Sequence, residues 1–162
     1  MTTDFEGLLR ALASAGVEFI LVGGLAATVH GSARATYDID LVYARAPENI
    51  DRLVAALAPL NPYLRGAPPG LPFRFDAATV ARGLNFTLTT ALGNVDLLGE
   101  ITGGGDYARL LPDTIAIDVF GLRCRCLSLD ALIRVKRAAG RPRDLEVIAE
   151  LEALREERGQ SI

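Results

Sequence analysis

Between Thr3 and Gly16 the apolar residues Phe5, Leu8, Leu9 and Leu12 recur three and four positions apart, which predicts an amphipathic helix with one buried face. Thr3 and Glu6 have the spacing of a capping box, and Gly16 stops the run. Glu18 to Val22 reads as a buried strand, Gly23 and Gly24 as a tight turn, and Leu25 to His30 as a short helix closed by Gly31. Tyr37 to Tyr43 predicts a second strand. Pro47 then opens an amphipathic helix carrying Ile50, Leu53, Val54 and Leu57. Pro59, Pro62, Gly66, Pro68, Pro69, Gly70 and Pro72 break regular structure, and a loop of that length inside a compact domain reads either as a cleft rim or as a surface excursion. Leu84 to Thr90 and Asn94 to Leu98 predict strands joined at Gly93 and Asn94, and Ile115 to Phe120 with Leu122 to Leu127 predicts a hairpin turning at Gly121. Ser128 caps a helix running through Ala139, Gly140 ends it, and a final amphipathic helix follows Pro142 to about Arg155.

Strands interleaved with helices predict an α/β (α+β) fold, a mixed β-sheet flanked by helices and closed by C-terminal helices. The chain has 162 residues, half of them hydrophobic, which suits a single domain over residues 1–162 with a sizeable core. No internal repeat and no linker divides it. Its apolar runs are far shorter than a bilayer span and its N-terminus lacks a signal-peptide pattern, so no membrane is expected and the cytoplasm is the default location.

The only cysteines, Cys124 and Cys126, lie two apart on an expected strand and so share a face, which suits reduced, structural thiols rather than a disulfide. A zinc site would need further thiols, or histidines beyond the lone His30, which reads as a packed or capping residue. The net charge of −3 argues against broad nucleic-acid coating. Locally the balance reverses. Arg123 to Arg143 holds seven basic residues and one acidic, Asp130, a patch suited to a triphosphate or an RNA end, or else a solvated helix face. Arg141 and Asp144, three apart, read as a helix pair.

The sharpest chemical signal is Asp38 and Asp40 within an apolar strand. Residues i and i+2 of a strand point to one side, so the two carboxylates face the same spot. Crowded like charges are unfavourable, and a divalent cation offsets them, making both candidate metal ligands. Asp96, set in the apolar run Val95 to Leu98, is costly to place there without a partner, and Asp118 passes the same test.

Val22-Gly23-Gly24, a thirteen-residue spacer and Asp38-Ile39-Asp40 resemble the motif of the DNA polymerase beta-like nucleotidyltransferase superfamily. Arg34-x-Thr36-x-Asp38-Ile39-Asp40 is similar to its small prokaryotic branch, which includes abortive-infection and toxin-antitoxin nucleotidyltransferases. Thr89, Gly93, Asp96, Leu97 and Leu98, then Lys136, Gly140, Arg141, Pro142 and Asp144, extend the resemblance over roughly Val17 to Leu154. It implies Asp96 as the third carboxylate beside Asp38 and Asp40, and Mg²⁺ or Mn²⁺ as cofactor. Gly23, Gly24, Arg34, Thr36 and Lys136 become candidate nucleotide-binding residues. Arg34 would bridge to phosphates or hold an aspartate, with an ion pair to Asp38 or Asp40 as the plain alternative. Lys136 would reach a phosphate or simply decorate a helix. Many relatives carry Ser at the position of Gly24, so Gly24 offers only backbone contact.

The expected activity is transfer of NMP from an NTP to a hydroxyl of RNA or protein. Such chemistry is an in-line displacement that rests chiefly on positioning and on metal ions that stabilise the attacking and leaving oxygens. The branch suggests a toxin-antitoxin or defence setting with a cognate partner protein. The alternatives are an inactive binding module or antitoxin-like partner of the same fold, and an enzyme acting on a small-molecule antibiotic.

Overall fold

The structure, a computed structural model, describes residues 2–160. Helix α1 (Phe5–Ser14) buries Leu8, Leu9 and Leu12. Its cap differs from the capping-box expectation: Asp4 accepts from the Gly7 N–H, while the Thr3 hydroxyl donates to the Tyr37 carbonyl and accepts from the Asn94 N–H at 3.1 Å. Thr3 is thus a clasp between segments distant in sequence, a role invisible to local spacing.

Strand β1 (Phe19–Val22) is buried along its whole length, and helix α2 (Gly23–Val29) follows without a connecting turn, so both glycines sit in its first turn. Strand β2 (Asp38–Tyr43) and helix α3 (Pro47–Leu57) come next. The Pro- and Gly-rich stretch contains a short strand, β3 (Tyr63–Leu64), and helix α4 (Ala77–Arg82) precedes strands β4 (Phe86–Thr90) and β5 (Gly93–Leu98). A small hairpin of β6 (Glu100–Ile101) and β7 (Gly105–Asp106) leads into helix α5 (Tyr107–Leu110). The hairpin β8 (Thr114–Val119) and β9 (Leu122–Leu127) follows. Helix α6 (Leu129–Ala139) is capped by Ser128 and ended by left-handed Gly140, and α7 (Asp144–Gln160) continues past the expected Arg155.

The main sheet has seven strands in the order β3-β4-β5-β2-β1-β9-β8. It is mixed: β2 runs parallel to β5 and β1 parallel to β9, the other neighbours being antiparallel. The fold class is therefore that of a mixed sheet flanked by helices, C-terminal helices included. In β2 and β5 the alternation is plain, with Ile39, Leu41, Val95 and Leu97 fully buried while Asp38, Asp40, Asn94 and Asp96 lie on the half-exposed side. One core joins residues from α1 through α7. Among the described residues no helix is long and apolar enough to cross a membrane.

Asn49 stitches the sheet from a fully buried position. Its Oδ1 accepts from the Glu18 N–H at 2.7 Å, and its Nδ2 donates to the carbonyls of Glu18 and Ala44 at 3.0 and 2.8 Å. Cys124 and Cys126 are buried free thiols on β9. His30, also buried, carries its proton on Nε2, because that nitrogen faces the Leu127 carbonyl at 2.7 Å and a carbonyl only accepts.

Candidate active site

The parallel register of β2 on β5 sets Asp40 directly across from Asp96 and Asp38 across from Asn94. Cross-strand partners share a face, so Asp40 and Asp96 meet although they come from distant parts of the chain. Their carboxyl groups are within hydrogen-bonding reach, yet two ionised carboxylates hold no hydrogen to share. Asp40 Oδ1 is buried with no hydrogen-bond partner. Burial foremost, then the hydrogen bond and charge of Asp96 and the charge of Asp38, push the Asp40 carboxyl up to about 7, with Lys136 pulling the other way.

Asp38 is held differently. Its Oδ1 accepts from Asn94 Nδ2 at 3.1 Å, and its Oδ2 lies 3.6 Å from Nη1 of Arg65. Arg65 Nη2 stands 2.9 Å from Asp96 Oδ1 and donates to the Leu88 carbonyl at 2.7 Å. One guanidinium therefore spans two of the three carboxylates. Among the described residues no set of three or more His, Cys, Asp or Glu is arranged to hold a metal. Asp40 and Asp96 meet directly, while Asp38 joins them through Arg65. Sequence reasoning missed Arg65 because it follows a two-residue strand inside the Pro- and Gly-rich stretch; the readable signal was an arginine in a segment that reads either as a cleft rim or as a surface excursion.

The two glycines have distinct reasons. Gly23 has φ +65°, and a Cβ there would fall 2.1 Å from Asp40 Oδ2, so its missing side chain is what lets the Asp40 carboxylate lie against the start of α2. At Gly24 a Cβ would fall 2.6 Å from Thr36 Oγ1. That hydroxyl donates to the Asp38 carbonyl at 3.3 Å, bracing the entry to β2.

A cleft of about 370 Å³ opens beside Asp40. Gly23, Asp40, Lys136 and Arg141 line it along with an apolar wall that includes Leu98, Ile101, Leu132 and Val135. Arg65, Asp38 and Asp96 are not among its walls. Asp40 thus stands between the cleft near α6 and the carboxylates that Arg65 bridges.

Other predicted residues lie elsewhere. Arg34 pairs with Glu146 at 3.1 Å and Glu150 at 3.8 Å on α7, not with Asp38 or Asp40. Asp118 is exposed on edge strand β8 and pairs with Arg123 at 3.5 Å, at the far end of the sheet from β5. The basic stretch is largely matched by acids: Arg134 with Asp113, Arg137 with Glu152, and both Lys136 and Arg141 with nearly buried Asp144. Arg141 precedes α7 and reaches Asp144 at 2.8 Å, so the pair closes the entry to that helix.

In comparison with known proteins, the chain matches no family model and no curated protein.

Proposed function

We propose that the chain is a metal-dependent nucleotidyltransferase that moves NMP from an NTP to a hydroxyl of RNA or protein. The observation that carries this reading is the pairing of Asp40 with Asp96, backed by Gly23 and opening onto a cleft that also holds Lys136. The buried Asp40 Oδ1, which has no hydrogen-bond partner, suits a hard divalent cation in donor type, so Mg²⁺ or Mn²⁺ would be held by Asp40 and Asp96, with Asp38 as the third ligand once Arg65 gives way. Such a cation supplies charge stabilisation for the attacking and leaving oxygens.

The protein's own groups divide the remaining work. The cleft receives the NTP, with Lys136 and the backbone at Gly23 facing its phosphates and the apolar wall taking its base and sugar. The acceptor approaches from the Arg65 side. Its hydroxyl oxygen attacks the α-phosphorus while the bond from that phosphorus to the bridging oxygen breaks. The hydroxyl proton passes to Asp96, and pyrophosphate leaves.

A second reading is supported by the ion pairs of Arg65: an inert module of similar architecture in which the carboxylates and guanidinium form a structural network. Incubation with each labelled NTP, Mg²⁺ or Mn²⁺, and a mixture of RNA and protein separates the two. The enzyme reading expects label on an acceptor, lost in both Asp38→Asn and Asp40→Asn. Full transfer by both variants rejects the assigned carboxylates, and absence of both transfer and metal binding in the unaltered chain favours the inert module.

A further inference from the structure

We infer that Arg65 is a built-in cation for the acidic site, which a divalent metal must displace from Asp38 and Asp96 before all three carboxylates can ligate it. The inference rests on the metal-dependent reading above and adds a competitor within the chain.

The geometry is specific. Nη1 lies 3.6 Å from Asp38 Oδ2 and Nη2 2.9 Å from Asp96 Oδ1, so the two arms of one guanidinium address two carboxylates on different strands. A planar fork suits that bridging role, whereas a lysine ammonium acts as a single point charge. All three side chains are substantially shielded from water, Arg65 at 25 %, Asp96 at 24 % and Asp38 at 37 % exposure, so the pairing is screened less than a surface ion pair.

Arg65 is also poised to leave. Its Nε is buried with no hydrogen-bond partner, so the side chain is incompletely satisfied where it sits. It immediately follows the two-residue strand β3, which is paired only with β4, and the next residue is Gly66 with φ +81°, where even an added Cβ would meet no atom within 4 Å. A side chain anchored there can swing from the carboxylates without dragging the core. The backbone keeps its place, because the Arg65 N–H donates to the Thr87 carbonyl at 3.0 Å.

Competition has a signature distinct from support. A residue that merely orients ligands weakens metal binding when removed, whereas a competitor strengthens it. The test is Mn²⁺ affinity by isothermal titration, with thermal melts in chelator and in Mn²⁺, on the full chain and on Arg65→Gln, Arg65→Lys and Asp40→Asn. Arg65→Gln is expected to bind Mn²⁺ about tenfold more tightly, the scale of one partly shielded ion pair removed. It should melt below the unaltered chain in chelator and recover most of that deficit in Mn²⁺. Arg65→Lys, which keeps the charge but loses the bridge, should gain affinity severalfold, and it carries the test if Arg65→Gln does not fold.

Equal or weaker Mn²⁺ binding by the Arg65 variants, with normal Asp40-dependent binding in the unaltered chain, overturns the competition and leaves the metal reading standing. Absence of Asp40-dependent binding in every protein overturns both.

Discussion

Gly24 and Thr36 compete for one volume, which decides what Gly24 tolerates. A Cβ at Gly24 would meet the Thr36 hydroxyl at 2.6 Å, so Gly24→Ser alone should cost about 1–2 kcal/mol, and adding Thr36→Ala should return most of it, a coupling that chemical denaturation of the unaltered chain, both single variants and the double variant measures. Asp40 sets a pH dependence of opposite sense to an ordinary surface acid. Its carboxyl is raised from 3.8 to about 7 in the folded chain, so the folded state holds a proton that the unfolded state has released. The stability this confers is complete below about pH 4 and is lost as pH rises through about 7. Asp40→Asn does not titrate. In chelator it should match the unaltered chain near pH 4 and exceed it at pH 8 by on the order of 1–3 kcal/mol, read from thermal melts. Lys136 faces both the cleft and Asp144, 3.5 Å away. If it meets the distal phosphates, Lys136→Ala should weaken NTP binding by about 1.5–3 kcal/mol and NMP binding far less, whereas equal losses would reject that contact.

Helices and strands with strong periodicity were legible because their local pattern and their tertiary burial agree. Leu8, Leu9 and Leu12 of α1 and Ile50, Leu53 and Leu57 of α3 all proved to be core, and Gly140 adopts the left-handed turn that ends α6. The acidic pair on β2 and the lone acid on β5 were readable for the same reason: a carboxylate in an apolar alternation marks the face turned from the core. What local spacing could not carry was pairing across the sequence. Arg65 reaches the site through the register of β3 on β4, Arg34 is claimed by glutamates on α7, and Thr3 clasps Tyr37 and Asn94 instead of completing a capping box. Asn49 is the same lesson inside an element. Nothing in the α3 pattern distinguishes it from an exposed polar position, yet it satisfies three backbone groups of β1 and β2 flanks. Asn49→Ala should therefore cost about 2–3 kcal/mol in denaturant melts while leaving nucleotide affinity unchanged, since neither Asn49 nor the Glu18 and Ala44 groups it bonds line the cleft.

The molecule places Asp38, Asp40 and Asp96 near the centre of the sheet, on β2 and β5, whose pairing is parallel and non-local. Asp38 and its partner Asn94 are 56 positions apart, and no hairpin can bring them together. The order of events during folding follows. Helices and the β8–β9 hairpin can form from neighbouring residues, but β2 and β5 meet only after a long segment has closed, which is slow and entropically costly. The carboxylates therefore acquire one another late. A cation that needs them together has little to hold in the transition state and much in the finished fold. Mn²⁺ should accordingly leave the refolding rate nearly unchanged and slow unfolding, as stopped-flow tyrosine fluorescence in this tryptophan-free chain can follow. Metal in the cell would then act as a lock on the completed chain, never as a template for its assembly.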